Sequence, residues 1–593
     1  MSAWRNAAFE KTDFEDRYMR HYTRLHLISA LTGIVLLSCS TAATDRDYTV
    51  TDASARTGPV DSVEDASTER GNQNVIEAED TTGSTRGSEP TNPGSGDLGP
   101  TTDSAALAPP SAGPDTPADK KTLRDGVQYS SGFFTNRSDA LVGNGNKLRY
   151  GVAVTDVNLD GDFEAVVAGY SGANEVWNWN GEAVEDIAPD SVADASRKAI
   201  GVAACDVDGD GSEEIYFLNI DQFGGLGSVA DRLWRRTSSD WEDVFERPEN
   251  EGQINTFSGR SVACLDRTGD GVYGVFVANY GGPMKLFEWN DGALVDVAPS
   301  IGADLVTGGR ALVNVPLDSP QMNLFAGNEN GANFFFVGDG TGLVANEASM
   351  FGITDATYTV RGAAVLDADL DGDFDLVYGN WNGTHRLWLR NGKTFTLGTP
   401  ADMAIPSKIR TVIAADFDND GNEEIFWNNI DQPNRLFGRV NNEWITLDIG
   451  DALEPTGKGT GGAVLDFDGD GTLELLVSHG ESGAQPMSMF IANAVGNHFV
   501  RIQPLTNTGG PARGATVTIT QGETSQRRAI DAGSGYLCQM EPVAHFGLGK
   551  NSEVPVALVQ WPDGTQVEAL IPAIDGTYTV SRDGQWKLSG GTP

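Results

Sequence analysis

Residues 363–380 read AAVLDADLDGDFDLVYGN, in which a nine-residue acidic loop separates two short apolar runs. The loop template, D-x-[DN]-x-D-G-x-x-[DE], occurs five times in the chain. Oxygen-bearing side chains at alternate positions, a turning glycine and a late acid form a shell that suits a hard cation such as calcium. The late acid stands at position nine rather than twelve, and the flanks alternate as strands do, so the loop is not an EF-hand.

Each loop is predicted to bind calcium through side chains at positions one, three, five and nine and through the backbone carbonyl at position seven. The predicted ligands are Asp156, Asn158, Asp160, Asp162 and Glu164; Asp206, Asp208, Asp210, Ser212 and Glu214; Asp367, Asp369, Asp371, Asp373 and Asp375; Asp416, Asp418, Asp420, Asn422 and Glu424; and Asp466, Asp468, Asp470, Thr472 and Glu474. The alternative is a set of Asp-Gly turns that join strands without a metal. Five copies in register favour calcium.

Two further segments keep the spacing but lack acids at ligand positions. The loop from Asp266 has Thr268 at position three and Gly274 at position nine, and an aligned segment has Val315 at position one. We expect the first to bind weakly or not at all and the second to bind nothing. Repeats therefore begin at 156, 206, 266, 315, 367, 416 and 466.

This spacing predicts an all-β fold built around a seven-bladed β-propeller over residues 122–494. A period near 50 residues with several short strands in each unit is typical of propeller blades. Seven units suit a closed ring, because closure removes the exposed sheet edges that invite aggregation. The longer step of 60 residues, from 206 to 266, predicts a loop insertion between Ser228 and Gly259.

The first 121 residues are predicted to direct and tether the protein. The apolar run Leu25–Leu37 is too short to span a bilayer but suits the core of a signal peptide within residues 1–39. Its ending, LLSC, resembles the bacterial lipobox, which implies a lipidated Cys39; an ordinary secretory signal is the alternative. A start at Met19 would give a more compact signal. Residues 40–121 are acidic, rich in Ser, Thr, Gly and Pro, and predict a disordered tether.

Charge and cysteine content limit the possible partners and bonds. A formal net charge of −43 argues against nucleic acid and anionic membrane surfaces as direct partners, so a membrane is expected only through the lipid anchor. Cys205 and Cys264 precede adjacent loops by one and two residues, which predicts opposite strand faces. Buried free thiols are therefore expected, with a disulfide as the alternative.

After the last repeat, residues 495–584 predict a small β-sandwich-like module followed by a tail over 585–593. Period-2 runs such as FVRIQPL and ATVTIT are divided by glycine-rich turns. The motifs GNH, RGA, GSGY, HFGLG and WPDG, beginning at Gly496, Arg513, Gly533, His545 and Trp561, resemble the ASPIC/UnbV domain. The preceding repeats resemble FG-GAP/VCBS repeats. His545 and Trp561 are expected to fix turns rather than to bind a ligand.

The resemblance implies a calcium-dependent adhesion or interaction protein at the bacterial cell envelope, on the outer membrane of a Gram-negative host, or secreted. Its partner would be a cell-surface protein or glycan. The sequence contains no HExxH, GxSxG or phosphate-binding glycine loop, and no catalytic residue is predicted. His385 and His479 would be the first candidates for the alternative function, a calcium-dependent polysaccharide lyase or hydrolase on a propeller scaffold.

Overall fold

The computed structural model describes residues 121–170, 172–494 and 496–589. The predicted signal segment, Cys39, all but the last residue of the tether and the end of the tail lie outside these ranges. No helix within the described ranges is both long and apolar enough to cross a membrane.

Seven four-stranded antiparallel units follow one another along the chain and form the blades, and the third and fourth units are also hydrogen-bonded to each other. The strand β1 (Phe134–Asn136) precedes the first complete blade, which comprises β2 (Arg149–Thr155), β3 (Glu164–Gly169), β4 (Glu175–Trp179) and β5 (Val184–Asp186). The second comprises β6 (Ala199–Cys205), β7 (Glu214–Asn219), β8 (Arg232–Arg236) and β9 (Trp241–Asp243). The third comprises β10 (Gly259–Leu265), β11 (Gly274–Pro283), β12 (Lys285–Asn290) and β13 (Ala293–Asp296).

The fourth blade comprises β14 (Val306–Asn314), β15 (Asn323–Asn328), β16 (Phe334–Gly338) and β17 (Val344–Asn346). The fifth comprises β18 (Val360–Leu366), β19 (Asp375–Asn380), β20 (Arg386–Asn391) and β21 (Thr394–Leu397). The sixth comprises β22 (Ile409–Ala415), β23 (Glu424–Asn429), β24 (Arg435–Val440) and β25 (Glu443–Thr446). The seventh comprises β26 (Gly459–Leu465), β27 (Glu474–His479), β28 (Ser488–Ala492) and β1.

The ring closes through β1, which comes from the beginning of the propeller and completes the last blade. It pairs antiparallel with β28, with Phe134 opposite Ala492. The innermost strands are almost wholly buried, as in β2 and β26, because blades pack on both of their faces. Val152 of β2 shares one hydrophobic cluster with Leu475 of β27, so the first and last blades pack together. This arrangement confirms the predicted propeller.

Short helical turns connect the strands. They are α1 (Asp190–Ala193), α2 (Ala298–Ile301) and α3 (Ala348–Phe351), with 3₁₀ turns at Ser138–Ala140, Val244–Glu246, Pro248–Asn250 and Asp451–Leu453. Two of the 3₁₀ turns lie between β9 and β10, within the predicted insertion from Ser228 to Gly259. Part of the extra length therefore forms these two turns, which follow the outermost strand of the second blade.

The C-terminal domain contains two four-stranded sheets. Their strands are β29 (His498–Pro504), β30 (Thr516–Gln521), β31 (Thr524–Ala529), β32 (Ala544–Gly549), β33 (Val556–Gln560), β34 (Gln566–Leu570), β35 (Thr577–Val580) and β36 (Trp586–Leu588). The sheet orders are β32-β29-β35-β36 and β31-β30-β33-β34. Side chains such as Ile502, Val517 and Phe546 fill the core between them. The strand β36 lies in the predicted tail, so ordered structure continues past 585.

The expectation of free thiols at Cys205 and Cys264 was wrong, because the two form a disulfide with a Cα–Cα distance of 5.7 Å. They lie on the inner strands β6 and β10 of neighbouring blades. Blades stack face to face, so the front of one strand meets the back of the next. Side chains on opposite strand faces are therefore the ones that can meet between blades.

Candidate metal centres and the domain that covers them

The acidic loops share one hydrogen-bonding plan. At position one, a carboxylate oxygen accepts a hydrogen bond from the amide of the glycine at position six; Gly372 N lies 3.1 Å from Asp367 Oδ2. At position nine, the acid accepts one from the amide at position two; Phe467 N lies 2.9 Å from Glu474 Oε2. The same two bonds recur in all five predicted loops. The backbone thus orients the first and last acids of each loop.

Four of the five predicted loops bring three carboxylate groups together, with oxygen atoms within 4.8 Å of one another. The groups are Asp206, Asp208 and Asp210; Asp367, Asp369 and Asp371; Asp416, Asp418 and Glu424; and Asp466, Asp468 and Glu474. The position-nine acid joins the group in the sixth and seventh blades only. In the fifth blade, Asp375 Oδ1 instead accepts a hydrogen bond from Arg390 N at 2.7 Å.

Several of these buried oxygens have no hydrogen-bond donor within the described ranges: Asp206 Oδ1, Asp367 Oδ1 and Glu474 Oε1. Burial raises the pKa of Asp206 to about 7, and burial with the neighbouring Asp470 and Asp466 raises the pKa of Asp468 to about 7. A buried carboxylate oxygen without a hydrogen-bond donor is costly. A divalent cation held by these oxygens would remove that cost, so the residues fit calcium.

The first loop differs from the other four at position three. Its residue there is Asn158, whose Nδ2 donates a hydrogen bond to Glu164 Oε1 at 2.9 Å. Asp156 Oδ1 accepts a hydrogen bond from the amide of Leu159 at 2.6 Å. With an amide in place of an acid, this loop has one carboxylate fewer than its counterparts among positions one, three, five and nine. A calcium ion at this loop stays a prediction.

The loop from Asp266 and the segment at Val315, which lack one or more acids at ligand positions, form hydrogen bonds with their own backbone. Both carboxylate oxygens of Asp266 accept backbone amides, from Gly269 at 2.7 Å and Gly271 at 2.8 Å. The Val315 amide donates to the carbonyl of Asn323 at 2.7 Å, which closes that turn. Weak or absent metal binding at these two segments stays a prediction from their missing acids.

At position seven, the predicted ligating group is the backbone carbonyl, and the backbone amide of the same residue bonds to the acid at position five. The amides of Ser212, Asn422 and Thr472 donate to the acid at position five, at 2.9, 2.7 and 2.8 Å. The amides of Asp162 and Asp373 do the same, at 3.0 and 2.8 Å. These bonds orient the position-five acids, whereas the carbonyl role stays a prediction.

The C-terminal domain lies directly on these loops. Thr508 Oγ1 donates to Asp206 Oδ2 at 3.2 Å. Gly547 N donates to Asp416 Oδ2 at 2.8 Å, and a Cβ at Gly547 would lie 2.4 Å from that oxygen. The acidic loops are therefore part of an interface between two domains, which the sequence did not reveal.

Two of the motif residues from the C-terminal domain also reach the propeller. His545 Nε2 donates to Asn419 Oδ1 at 2.5 Å, and burial with the nearby arginines holds its pKa well below the usual range. Arg513 is completely buried and forms an ion pair with Glu213 of the second blade. Trp561, by contrast, stays within its own domain, where its Nε1 donates to the carbonyl of Leu505 at 2.9 Å. His545 and Arg513 thus dock the C-terminal domain on the propeller, and Trp561 packs within the C-terminal domain.

The segment between β31 and β32, residues 530–543, enters the central channel of the propeller and is called the plug here. Its backbone bonds to inner strands around the ring: Gln539 N donates to Val152 O at 2.9 Å, and Gly535 N to Ala363 O at 2.7 Å. Further bonds reach β6, β10, β22 and β26. A Cβ at Gly151 would lie 2.2 Å from Leu537 O, so the inner strand needs glycine there. Contacts with six inner strands place the plug on the ring axis.

Comparison with known proteins gives the family. The ASPIC and UnbV family matches residues 506–586, and the FG-GAP-like repeat matches residues 128–217, 367–427 and 416–477. Cartilage acidic protein 1 of Xenopus tropicalis is 46% identical over 485 residues, covering 74% of this chain and 75% of the relative. Its namesakes from Mus musculus and Homo sapiens are 44% identical over 491 residues, covering 75% of this chain and 76% and 74% of theirs. The chain therefore belongs to the cartilage acidic protein 1 family, with FG-GAP-like repeats followed by a C-terminal ASPIC/UnbV domain.

Proposed function

We propose that this protein is an extracytoplasmic, calcium-binding interaction module whose calcium loops fasten the C-terminal domain to the propeller. The observation that carries the proposal is the set of four carboxylate groups, each headed by a buried Asp, three of which bond or pair with the C-terminal domain. Bound calcium would supply positive charge to these carboxylates. The disulfide between Cys205 and Cys264 supports an oxidising, extracytoplasmic location.

The chain's own residues would then act as a rigid clamp. In Asp206, Asp416 and Asp466, one and the same oxygen, Oδ2, accepts the amide of the loop glycine and contacts the C-terminal domain. Arg501 Nε, for example, lies 3.3 Å from Asp466 Oδ2, with both side chains buried. A loop ordered by a cation would therefore also order the domain above it. The partner would be a cell-surface protein or glycan.

The experiment measures calcium-dependent binding to an array of cell-surface proteins and glycans. Asp371→Asn removes a position-five acid from a complete loop, and Asp270→Asn removes the matching acid from the loop that lacks a position-nine acid. We expect the wild-type protein to bind a partner when calcium is present and not when it is absent. Asp371→Asn should bind that partner more weakly, and Asp270→Asn should bind it as tightly as the wild type does. Binding that survives a chelator unchanged would contradict the proposal.

The proposal includes no catalytic step. His385, one of the two histidines considered first for catalysis, uses both ring nitrogens in buried hydrogen bonds, to Asn380 N and to Ser407 Oγ, each at 3.0 Å. Incubation with anionic and neutral polysaccharides tests the alternative through new reducing ends or unsaturated uronates. Calcium-dependent product that a single substitution outside the loops abolishes would identify a carbohydrate-active enzyme instead.

A lipid anchor at Cys39 is part of the proposal and rests on the sequence, since the residue lies outside the described ranges. A diacylated cysteine holds a protein at a membrane because each buried methylene contributes about 0.8 kcal/mol. Cys39→Ala is expected to move the protein from the membrane fraction to the soluble or secreted fraction. Retention in the membrane fraction would show a different mode of attachment.

A further inference from the structure

A cavity of about 310 Å³ lies at the mouth of the channel opposite the acidic loops. Each inner strand begins at this mouth and ends at a loop, so the C-terminal domain and the cavity lie on opposite faces of the propeller. The tip of the plug, Tyr536 and Leu537, closes the bottom of the cavity. Leu537 adopts a left-handed backbone conformation with φ of 67°, which a bulky side chain rarely takes up. Such strain is often found at binding sites.

Four arginines line this cavity, and they come from the beginnings of the inner strands of four successive blades. They are Arg260, Arg310, Arg361 and Arg410, and each is at most 8% exposed. Among residues 121–170, 172–494 and 496–589, two carboxylates balance them: Glu329 pairs with Arg310 and Arg361, and Glu481 pairs with Arg410. The cavity therefore carries an excess of two positive charges in a chain whose formal net charge is −43.

Some of this hydrogen-bonding capacity is unused within the described part of the chain. Arg310 Nε and Arg410 Nη1 are buried without a partner, and Arg260 donates to the carbonyls of Gly259 and Phe223 but forms no ion pair. Burial, together with the neighbouring arginines, lowers the pKa of Arg310 to about 9. An anion in the cavity would accept hydrogen bonds from the unpartnered nitrogens and would balance the buried positive charge whose cost lowers the pKa of Arg310.

An arginine of the first blade gives a useful contrast. Arg149 is also buried at the beginning of an inner strand, but it makes a two-point contact with Glu175, in which Nη2 lies 3.0 Å from Oε1. Its charge is thus neutralised within the blade, and it does not line the cavity. The four cavity arginines differ because they outnumber their carboxylates.

Aromatic rings support the guanidinium groups. Arg310 lies 4.4 Å from the ring centre of Tyr280, and Arg410 lies 4.0 Å from that of Trp381. The side chain of Phe223, which is 62% exposed, stands at the rim. Guanidinium groups bind carboxylate and sulfate through paired hydrogen bonds, and aromatic faces pack against sugar rings.

We propose that this mouth binds the carboxylate or sulfate group of an acidic sugar. The closed floor admits the end of a chain rather than a polymer that passes through, and the volume is at the small end of ligand cavities, which begin at about 300 Å³. The inference deepens the proposed function, because it gives the chemical class of the partner. It rests on the interaction role proposed above but not on calcium as the ligand-binding group.

Calorimetric titration of the calcium-loaded, full-length protein tests this inference. The probes are a uronate-terminated disaccharide, a sulfated disaccharide, a neutral disaccharide and an acidic peptide. We expect one or both acidic sugars to bind, with an affinity that falls as salt is raised, and the neutral sugar not to bind. Arg260→Gln leaves no carboxylate unpaired and is expected to weaken binding at least tenfold. Arg435→Gln, which removes a half-buried arginine outside the cavity, should leave affinity within twofold.

Thermal unfolding checks that each variant is folded. If Arg260→Gln melts early, Arg260→Lys keeps the charge but loses the planar fork, and it is also expected to weaken binding. Absence of saturable binding to either acidic sugar would overturn the inference. Equal affinity of Arg260→Gln and Arg435→Gln would overturn it as well. Tighter binding of the acidic peptide would overturn the assignment to a sugar. If calcium still stabilises the fold while no acidic sugar binds, the inference fails and the proposed calcium role stands.

Discussion

At the scale of single residues, buried polar side chains fix the corners of the blades. Asn174, Asn333 and Asn434 each accept a hydrogen bond from the amide five residues earlier, at 2.9, 2.9 and 2.8 Å. His385 takes the same place in the fifth blade and accepts the Asn380 amide through Nδ1 at 3.0 Å. Burial, with the nearby charges of Arg435 and Arg386, lowers the pKa of His385 to about 2.

His385 should therefore make the protein sensitive to acid. Its pKa is near 6.5 in the unfolded chain and lower in the folded one, so the unfolded state binds more protons and stability falls as pH drops below about 6.5. We expect His385→Asn to cost about 1 kcal/mol or less at pH 8, because Asn fills this place in three other blades. The variant should lose less stability than wild type between pH 8 and pH 5. Equal losses in thermal unfolding would contradict this.

At the scale of elements, the acidic loops were predictable because their signal is local. A nine-residue spacing of oxygen ligands can be read directly, and the strand–loop–strand pattern places it at the end of an inner strand. The plug was not predictable in the same way, because GSGY and the following apolar residues resemble an ordinary glycine-rich turn. Its signal lies partly elsewhere, in glycines such as Gly151 that leave room for it.

The link between Arg513 and Glu213 should anchor the C-terminal domain. Both side chains are buried, and Arg513 Nη2 lies 3.1 Å from Glu213 Oε2. We expect Arg513→Leu to lower the free energy of unfolding by about 3–5 kcal/mol, because it leaves a buried carboxylate unpaired. Adding Glu213→Leu should cost less than the sum of the single changes. Arg582→Leu, which breaks a more exposed pair with Asp563, is the control and should cost about 1 kcal/mol or less. If the double variant loses as much unfolding free energy as the two single variants together, the link between Arg513 and Glu213 is contradicted.

The disulfide between the second and third blades should stabilise the ring. It joins residues 59 positions apart, and constraining an unfolded loop of that order stabilises a protein by about 2–4 kcal/mol. We expect Cys205→Ala with Cys264→Ala to lower the unfolding free energy by that amount. A reductant should lower the melting temperature of wild type but not of the double variant, which retains the free Cys538. An equal effect of reductant on both would contradict the role.

At the scale of the whole molecule, two devices close the structure. The first is β1, which pairs with β28 and joins the beginning of the ring to its end. The second is the C-terminal domain, which covers the acidic loops and inserts the plug into the channel. The number of blades followed from the spacing of repeats, whereas the docking of the C-terminal domain depends on contacts between distant parts of the chain. Sequence periodicity carries no record of such contacts.

Thermal unfolding with and without calcium tests the central claim, that calcium in the acidic loops holds the propeller and the C-terminal domain together. A site filled at 100 times its dissociation constant stabilises the fold by about 2.7 kcal/mol, so emptying several sites should lower the melting temperature by about 10 °C or more. We expect this shift on chelation, with recovery when calcium is restored. An unchanged melting curve in excess chelator, with metal content measured and low, would contradict it.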